Sequence, residues 1–413
     1  MLLLKYFLDR LVRTGTLEMV DWSGVVHRFG NGDRPLVRVR LHKRSLGWRL
    51  PFNPELRAGE AYTDGSLTIE EGSLYEFLDL ITMNLGAGGK PAIMRLASGL
   101  GFALRTFHQF NPVPRARTNV AHHYDLSAAL YALFLDRDQQ YSCAYFARAD
   151  ETLDEAQENK KRRIAAKLDL ASGQRVLDIG SGWGGMALHL AREAGAEVTG
   201  ITLSTVQREV SERRANETGL AERAHFFLRD YRQQTGTFDR IVSVGMFEHV
   251  GIDHYREFFA KLADLLADDG VAVLHTIGRA GPPAEGDPWI RKYIFPGGYI
   301  PSLSEIARAI EKTGLVITDI EVLRLHYAET LRHWRERFQA NRDAVKKLYD
   351  ERFCRIWEYY LAASETSFRN LKTVVFQIQL AKRPDAVPLT RDYLASWNAS
   401  ETDGAGVSAR RTA

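Results

Sequence analysis

The sequence predicts an α/β fold: a doubly wound, mainly parallel sheet preceded by a small α+β unit. Three observations carry that reading. From Arg175 onward, short apolar runs alternate with stretches of helical period, the signature of a parallel sheet covered on both faces. Four glycines, Gly180, Gly182, Gly184 and Gly185, follow the first of those runs and open a helix. The Pro-rich, basic stretch Asn111–Arg117 separates this region from an N-terminal part of different pattern.

Residues 1–105 are expected to form the α+β unit. Leu4, Phe7, Leu8, Leu11 and Val12 fall on one face of an opening helix, and Lys5 and Asp9 interrupt the apolar run too early for a signal peptide. Leu36–Leu41 alternates apolar and basic side chains, the period of a half-buried strand, and a helix follows over Leu74–Leu85. Residues 106–118 are assigned as a linker. The larger domain, 119–383, begins with helical segments through Leu168. Strands are then expected at Arg175–Ile179, Glu197–Thr202, Ala224–Leu228, Phe238–Val244 and Val271–Ile277, with helices between them. Beyond Tyr327 the chain reads as mainly helical until a last strand at Thr373–Ala381, and residues 384–413 read as a flexible tail.

The 413 residues, 45% hydrophobic and 26% charged, match an ordinary globular composition, and the N- and C-terminal parts are long enough for separate cores. Two cysteines, Cys143 and Cys354, offer neither a disulfide framework nor a cysteine zinc site, so no metal is expected, and a reducing cytoplasm fits that usage. No run of 18 apolar residues predicts a membrane span. Charge is uneven: residues 1–118 hold 16 basic against 11 acidic side chains. Within them Arg34, Arg38, Arg40, Lys43, Arg44 and Arg49 form a stretch without an acid. Such a stretch suits a phosphate-bearing surface, either anionic lipid or nucleic acid, or else a solvated strand pair with outward cations. No nucleic-acid-binding motif accompanies it.

The glycine loop indicates the cofactor. The spacing Gly-x-Gly-x-Gly-Gly departs from the dinucleotide pattern, and Asp178 two residues ahead resembles motif I of S-adenosylmethionine-dependent methyltransferases. The acidic residue usual at the end of the second strand is absent; Thr202 and Gln207 are the polar substitutes, while Asp230 and Tyr231 offer an acceptor and a ring for the adenine. A surface turn is the alternative.

Further segments narrow the resemblance: Asn119-Val-Ala-His-His-Tyr-Asp125, Gln140-Tyr-Ser-Cys-Ala-Tyr-Phe146, Gly200-Ile-Thr-Leu-Ser204, Met246-Phe-Glu-His-Val-Gly251, Leu274-His-Thr-Ile-Gly278 and Ile294-Phe-Pro-Gly-Gly-Tyr299. In this order, over about Asn119 to Arg383, they resemble the cyclopropane-fatty-acyl-phospholipid synthase family. The basic N-terminal unit is similar to the extra domain of its bacterial phospholipid enzymes. The resemblance implies a Rossmann-like class I methyltransferase sheet. It also implies methylene transfer from S-adenosylmethionine to a cis double bond of a phospholipid acyl chain at the inner membrane face. The alkene attacks the sulfonium methyl, the cation loses a proton, and the ring closes. The family is understood to hold a bicarbonate ion as base, which implicates Cys143, Glu248, His275, Ile277 and Tyr327 here, Cys143 and Ile277 through backbone N–H groups. At the cofactor it implicates Tyr141, Ser142, Asp178, Gly180, Gly182, Thr202, Leu203, Gln207, Asp230 and Tyr231. On the residues alone, Glu248 and His275 keep the alternative of a structural hydrogen bond, His122 and His123 that of orienting a helix, and Cys143 lacks the base a nucleophile needs.

An alkene is a weak nucleophile, so apolar walls are expected, with Tyr145, Phe146, Phe247, Trp289, Tyr293, Phe295 and Tyr299 as candidates. A plain methyl branch on the acyl chain is the runner-up product. A non-catalytic lipid- or nucleic-acid-binding protein is the reading from another class; the intact glycine loop together with Glu248 and His275 argues against it. The N-terminal unit is also a candidate homodimer contact.

Overall fold

The computed structural model describes residues 1–88 and 128–399. The linker 106–118, the segment Asn119–Asp125 with His122 and His123, and residues 400–413 lie outside the described residues.

The N-terminal unit carries four strands, β1 (Thr16–Val20), β2 (Val26–Gly30), β3 (Leu36–Leu41) and β4 (Leu67–Glu71), in the order β2-β1-β3-β4. β1 runs antiparallel to β2 and parallel to β3, and β4 is antiparallel to β3. As its period requires, β3 buries Val37, Val39 and Leu41 on one face. Leu4, Phe7, Leu8 and Leu11 of the helix Leu2–Leu11 close over that core. Helices Pro54–Thr63 and Leu74–Gly88 then pack against the long helix Glu351–Asn370 of the second domain. The junction is tight: a Cβ at Gly59 would lie 2.5 Å from the Trp289 ring. Tyr62 Oη donates to Glu358 Oε2 (2.9 Å), Lys292 pairs with Glu60 (2.7 Å) and Asn370 donates to Asp79 Oδ1 (2.8 Å).

The basic stretch of this unit is not a free cationic face. Arg38 is held by Glu18 of β1 at 2.6 Å, Arg40 pairs with Glu70 of β4, and Lys43 with Asp64 at 2.9 Å. Arg34 and Arg44 stay exposed and Arg49 half-buried, with no ion pair among the described residues. Beside them Trp48 and Phe52 of the helix Leu46–Phe52 stand 59% and 56% exposed, the side opposite buried Leu46 and Leu50.

The second domain is built on seven strands in the order β10-β11-β9-β8-β5-β6-β7. These are β5 (Arg175–Ile179), β6 (Glu197–Thr202), β7 (Ala224–Leu228), β8 (Phe238–Val244), β9 (Leu266–Arg279), β10 (Val316–Val322) and β11 (Thr373–Ala381). β5 to β9 pair in parallel, and β11 inserts antiparallel between β9 and β10. Phe258, Phe259 and Leu262 cover one face; Ile164, Leu168, Met186 and Leu190 cover the other. With both faces covered, β5 and β8 read as continuous apolar runs, which is why sequence alone located them.

The structure corrects three expectations. β10 was not anticipated: it is an edge strand whose half-exposed Ile-Thr-Asp-Ile-Glu run has no full apolar face. β9 extends past Val271–Ile277 at both ends. The expected tail contains a helix, Asp392–Ala399, packed on the helix Leu153–Leu168, with Leu394 buried and Tyr393 Oη accepting from Gln379 Nε2 at 2.9 Å.

Candidate active site

Two cavities meet at the carboxyl end of the parallel strands, where open α/β sheets bind ligands. The smaller, of about 150 Å³, is lined by all ten residues expected at the cofactor. The loop after β5 turns back on itself because Gly180 and Gly182 take φ of 84° and 54°, and the Gly180 and Ser181 N–H groups donate to Ile201 O of β6. At Gly180 a Cβ would meet Met246 at 2.8 Å, whereas at Gly182 it would meet nothing within 4 Å: the loop presents bare backbone to the cavity.

Asp178 projects from β5 with its Oδ2 buried and without a hydrogen-bond partner, and burial pushes its carboxyl up to about 7. An orphaned carboxylate oxygen here is what a cationic cofactor would satisfy. At the end of β6, Thr202 Oγ1 donates to Gln207 Oε1 (2.9 Å), which turns the Gln207 NH₂ group away from Thr202. Both Asp230 carboxylate oxygens accept from Arg232, at 2.8 and 2.7 Å, so Asp230 borders the cavity as one half of an ion pair. The Tyr231 ring sits edge-on to Phe258.

The larger cavity, of about 590 Å³, is lined by all five residues expected at the reacting end, Cys143, Glu248, His275, Ile277 and Tyr327. Glu248 lies on the turn Phe247–His249 just past β8. Its Oε1 accepts from the Ile277 N–H at 2.6 Å, so that N–H, expected to face an anion, is taken by the carboxylate. Its Oε2 is buried without a partner, and burial pushes the acid up to about 7. His275 Nδ1 accepts from Gln377 Nε2 (3.1 Å), which leaves the ring proton on Nε2; burial holds the ring well below its ordinary pKa and therefore neutral. The Cys143 thiol donates to Ala144 O and is pushed far up by burial, which removes it as a nucleophile. Tyr327 is buried against Trp334 and Phe368.

Of the seven rings expected as walls, Phe295 and Tyr299 line this cavity. The others pack elsewhere: Tyr145 and Phe146 stack on His326, Phe247 on Tyr255, Trp289 fills the space over Gly59, and Tyr293 bonds Glu60. Tyr359 and Tyr360, from Glu351–Asn370, take their place. Tyr360 Oη meets Tyr141 Oη at 2.8 Å, a contact across 219 residues that no local spacing signals. His249 was also missed. With Tyr141, Ser142 and Gly245 it borders both cavities, and burial lowers its ring to about 4.

Comparison with known proteins agrees with this geometry. The family model for mycolic acid cyclopropane synthetase matches residues 113–378. A cyclopropane-fatty-acyl-phospholipid synthase of Escherichia coli is 41% identical, covering 88% of this chain and 92% of its own. A probable fatty acid methyltransferase of Pseudomonas putida is 36% identical over 91% and 95%. Among solved structures, a mycolic acid cyclopropane synthase complexed with SAH and CTAB superposes with a TM-score of 0.61 at 34% identity, covering 66% of this chain and 99% of that one. A glycine loop that lays bare backbone against an orphaned Asp178, beside an apolar chamber holding Glu248 and His275, is therefore no chance likeness. The chain belongs to the mycolic acid cyclopropane synthetase family and is an S-adenosylmethionine-dependent methyltransferase.

Proposed function

We propose that this enzyme transfers a methylene group from S-adenosylmethionine to the cis double bond of an unsaturated phospholipid acyl chain, giving a cyclopropane ring. The observation that carries the reading is the pair of adjoining cavities, one glycine-walled and bordered by Asp178, the other larger, more apolar and holding Glu248 and His275. When bound, S-adenosylmethionine supplies the electrophilic methyl group. This chain's residues orient and shield: Tyr141 and Ser142 sit where donor meets acceptor, and the apolar chamber keeps water from a cationic centre on the acyl chain.

Proton removal falls to the Glu248–His275 end. Bicarbonate bound here would supply the base. The unpartnered Glu248 Oε2 and the His275 Nε2–H are an acceptor and a donor of the kind such an ion needs, and Tyr327 lines the same chamber. Glu248, with its pKa near 7, can take up or hand on a proton at neutral pH.

Association with an anionic bilayer belongs to the same reading. No helix among the described residues is long and apolar enough to cross a membrane. The exposed Trp48 and Phe52, flanked by Arg44 and Arg49, favour docking on its surface.

The similarity to a probable fatty acid methyltransferase over 91% of the chain favours a second product, a methyl branch formed in the same site. Lipid analysis of a host expressing the gene separates the two. A gain of one CH₂ with loss of the alkene protons supports cyclopropane formation. Retained alkene signals in the modified chain would refute it.

A further inference from the structure

The helix Leu153–Leu168 carries the run Lys160-Lys161-Arg162-Arg163, yet Lys160 is not solvated: its side chain is fully buried. Its Nζ donates to Gln140 Oε1 and to Ser142 Oγ at 2.9 Å. One turn earlier, Gln157 Nε2 donates to Ser142 O (3.0 Å) and Gln140 O (3.3 Å), so this helix grips the Gln140–Ser142 segment by backbone and side chain together. Burying an ammonium costs several kcal/mol, and no carboxylate among the described residues touches Nζ to offset it; Asp136, Asp138 and Asp178 act on it only at a distance. An apolar residue would serve the fold better, so the charge has another use.

That use follows from donor and acceptor counting. An ammonium has three protons and no lone pair. At the Lys160–Ser142 contact the serine oxygen must therefore accept, and its own proton must point elsewhere. No acceptor among the described residues receives it, and Ser142 borders the cofactor cavity. The result is an unspent O–H donor, polarised by a cation behind it, in the cavity where Asp178 presents an unspent acceptor. A donor and an acceptor of this kind suit the two ends of a zwitterion. We propose that Lys160 is a positioning residue that fixes the Ser142 hydroxyl as a donor to the carboxylate of the cofactor's methionine moiety.

The inference rests on the reading of the smaller cavity as the cofactor site. The test is calorimetry on the full chain, in bicarbonate-free buffer, with two probes: S-adenosylhomocysteine, and 5′-methylthioadenosine, which lacks the carboxylate and amine. A hydrogen bond to a charged group sets the scale. K160M and S142A are each expected to weaken S-adenosylhomocysteine roughly tenfold or more while leaving 5′-methylthioadenosine within about twofold. The double variant should be no weaker than the worse single one. S142A leaves the buried charge in place, so it keeps the test valid if K160M folds poorly. Equal weakening of both probes would reduce Lys160 to a structural role and overturn the proposal. So would a loss that appears only when bicarbonate is added, which would assign the donor to the other cavity. Failure of the unmodified chain to bind either probe would instead overturn the cofactor-site reading.

Discussion

Replacing Glu248 by glutamine should uncouple stability from activity, and the burial of the acid sets the size of the stability effect. The retained Oε1 still accepts from the Ile277 N–H, so the turn after β8 keeps its hydrogen bond. What disappears is an acid whose pKa burial raises from 4.5 to about 7. The folded protein therefore prefers the protonated form. That contribution is fully present below about pH 4.5 and is lost as the pH rises to about 7, where ionisation leaves a buried, unpartnered Oε2 carrying charge. A shift of this size corresponds to roughly 3 kcal/mol at 1.36 kcal/mol per pKa unit. Urea denaturation at pH 5 and pH 8.5 should show the parent chain losing about 2–3 kcal/mol relative to Glu248→Gln between the two conditions. A constant offset from the new amide cancels in that comparison. Product formation should fall roughly 10²- to 10⁴-fold, the range expected when a positioned proton-transfer group is removed. Parallel stability profiles for the two proteins would refute the raised acid; normal product from the variant would refute its part in proton transfer.

Two further outcomes test the N-terminal unit. Gly59→Ala drives a methyl group into the Trp289 ring at the domain junction, and should cost about 1–3 kcal/mol in denaturation, with S-adenosylhomocysteine affinity unchanged because the donor cavity lies elsewhere; undiminished stability would mean the junction is loose. Trp48→Glu combined with Phe52→Glu should weaken binding to phosphatidylglycerol vesicles by roughly a hundredfold, and Arg44→Glu with Arg49→Glu should flatten its salt dependence; unaltered sedimentation with vesicles in both variants would place the bilayer contact on another face.

What could be read from the sequence was local. The glycine loop, the apolar strands β5, β6 and β8, and the order of motifs placed ten residues around one cavity and five around another. The readings that failed depended on distant partners. Arg38 and Arg40 look like a cationic stripe in β3 until Glu18 of β1 and Glu70 of β4 pair with them across the sheet. The walls of the larger cavity were misassigned because a ring's fate depends on what faces it: Trp289 is consumed by the gap at Gly59, while Tyr360 reaches Tyr141 from a helix more than 200 residues on. Lys160 had a usable signal. It follows Leu153 and Ala156 by seven and four residues and precedes Ile164 by four, which sets it on the buried face of its helix, but the charged run around it reads as solvated surface.

The two cavities differ in how they are built, and the difference bears on specificity. The donor cavity is formed by the loops after β5, β6, β7 and β8 together with Gln139–Ser142, all within the second domain. The acceptor chamber is not: Ala58, Ile81 and Leu85 of the N-terminal unit line it alongside Tyr359 and Phe295 of the second domain. The mycolic acid cyclopropane synthase that superposes here matches over 99% of its own length but only 66% of this chain. That coverage corresponds in size to the second domain. A chamber wall supplied by a separate unit can change the accepted chain while the donor site stays fixed, because among the described residues the two share only Tyr141, Ser142, Gly245 and His249. Substitutions at Ala58, Ile81 or Leu85 should then act on the choice of acyl chain, and those at Gly182 or Gln207 on cofactor affinity. The helix contacts at Gly59 and Tyr62, with the packing of Leu74–Gly88 on Glu351–Asn370 and the Asn370–Asp79 bond, hold the two halves of the chamber in register.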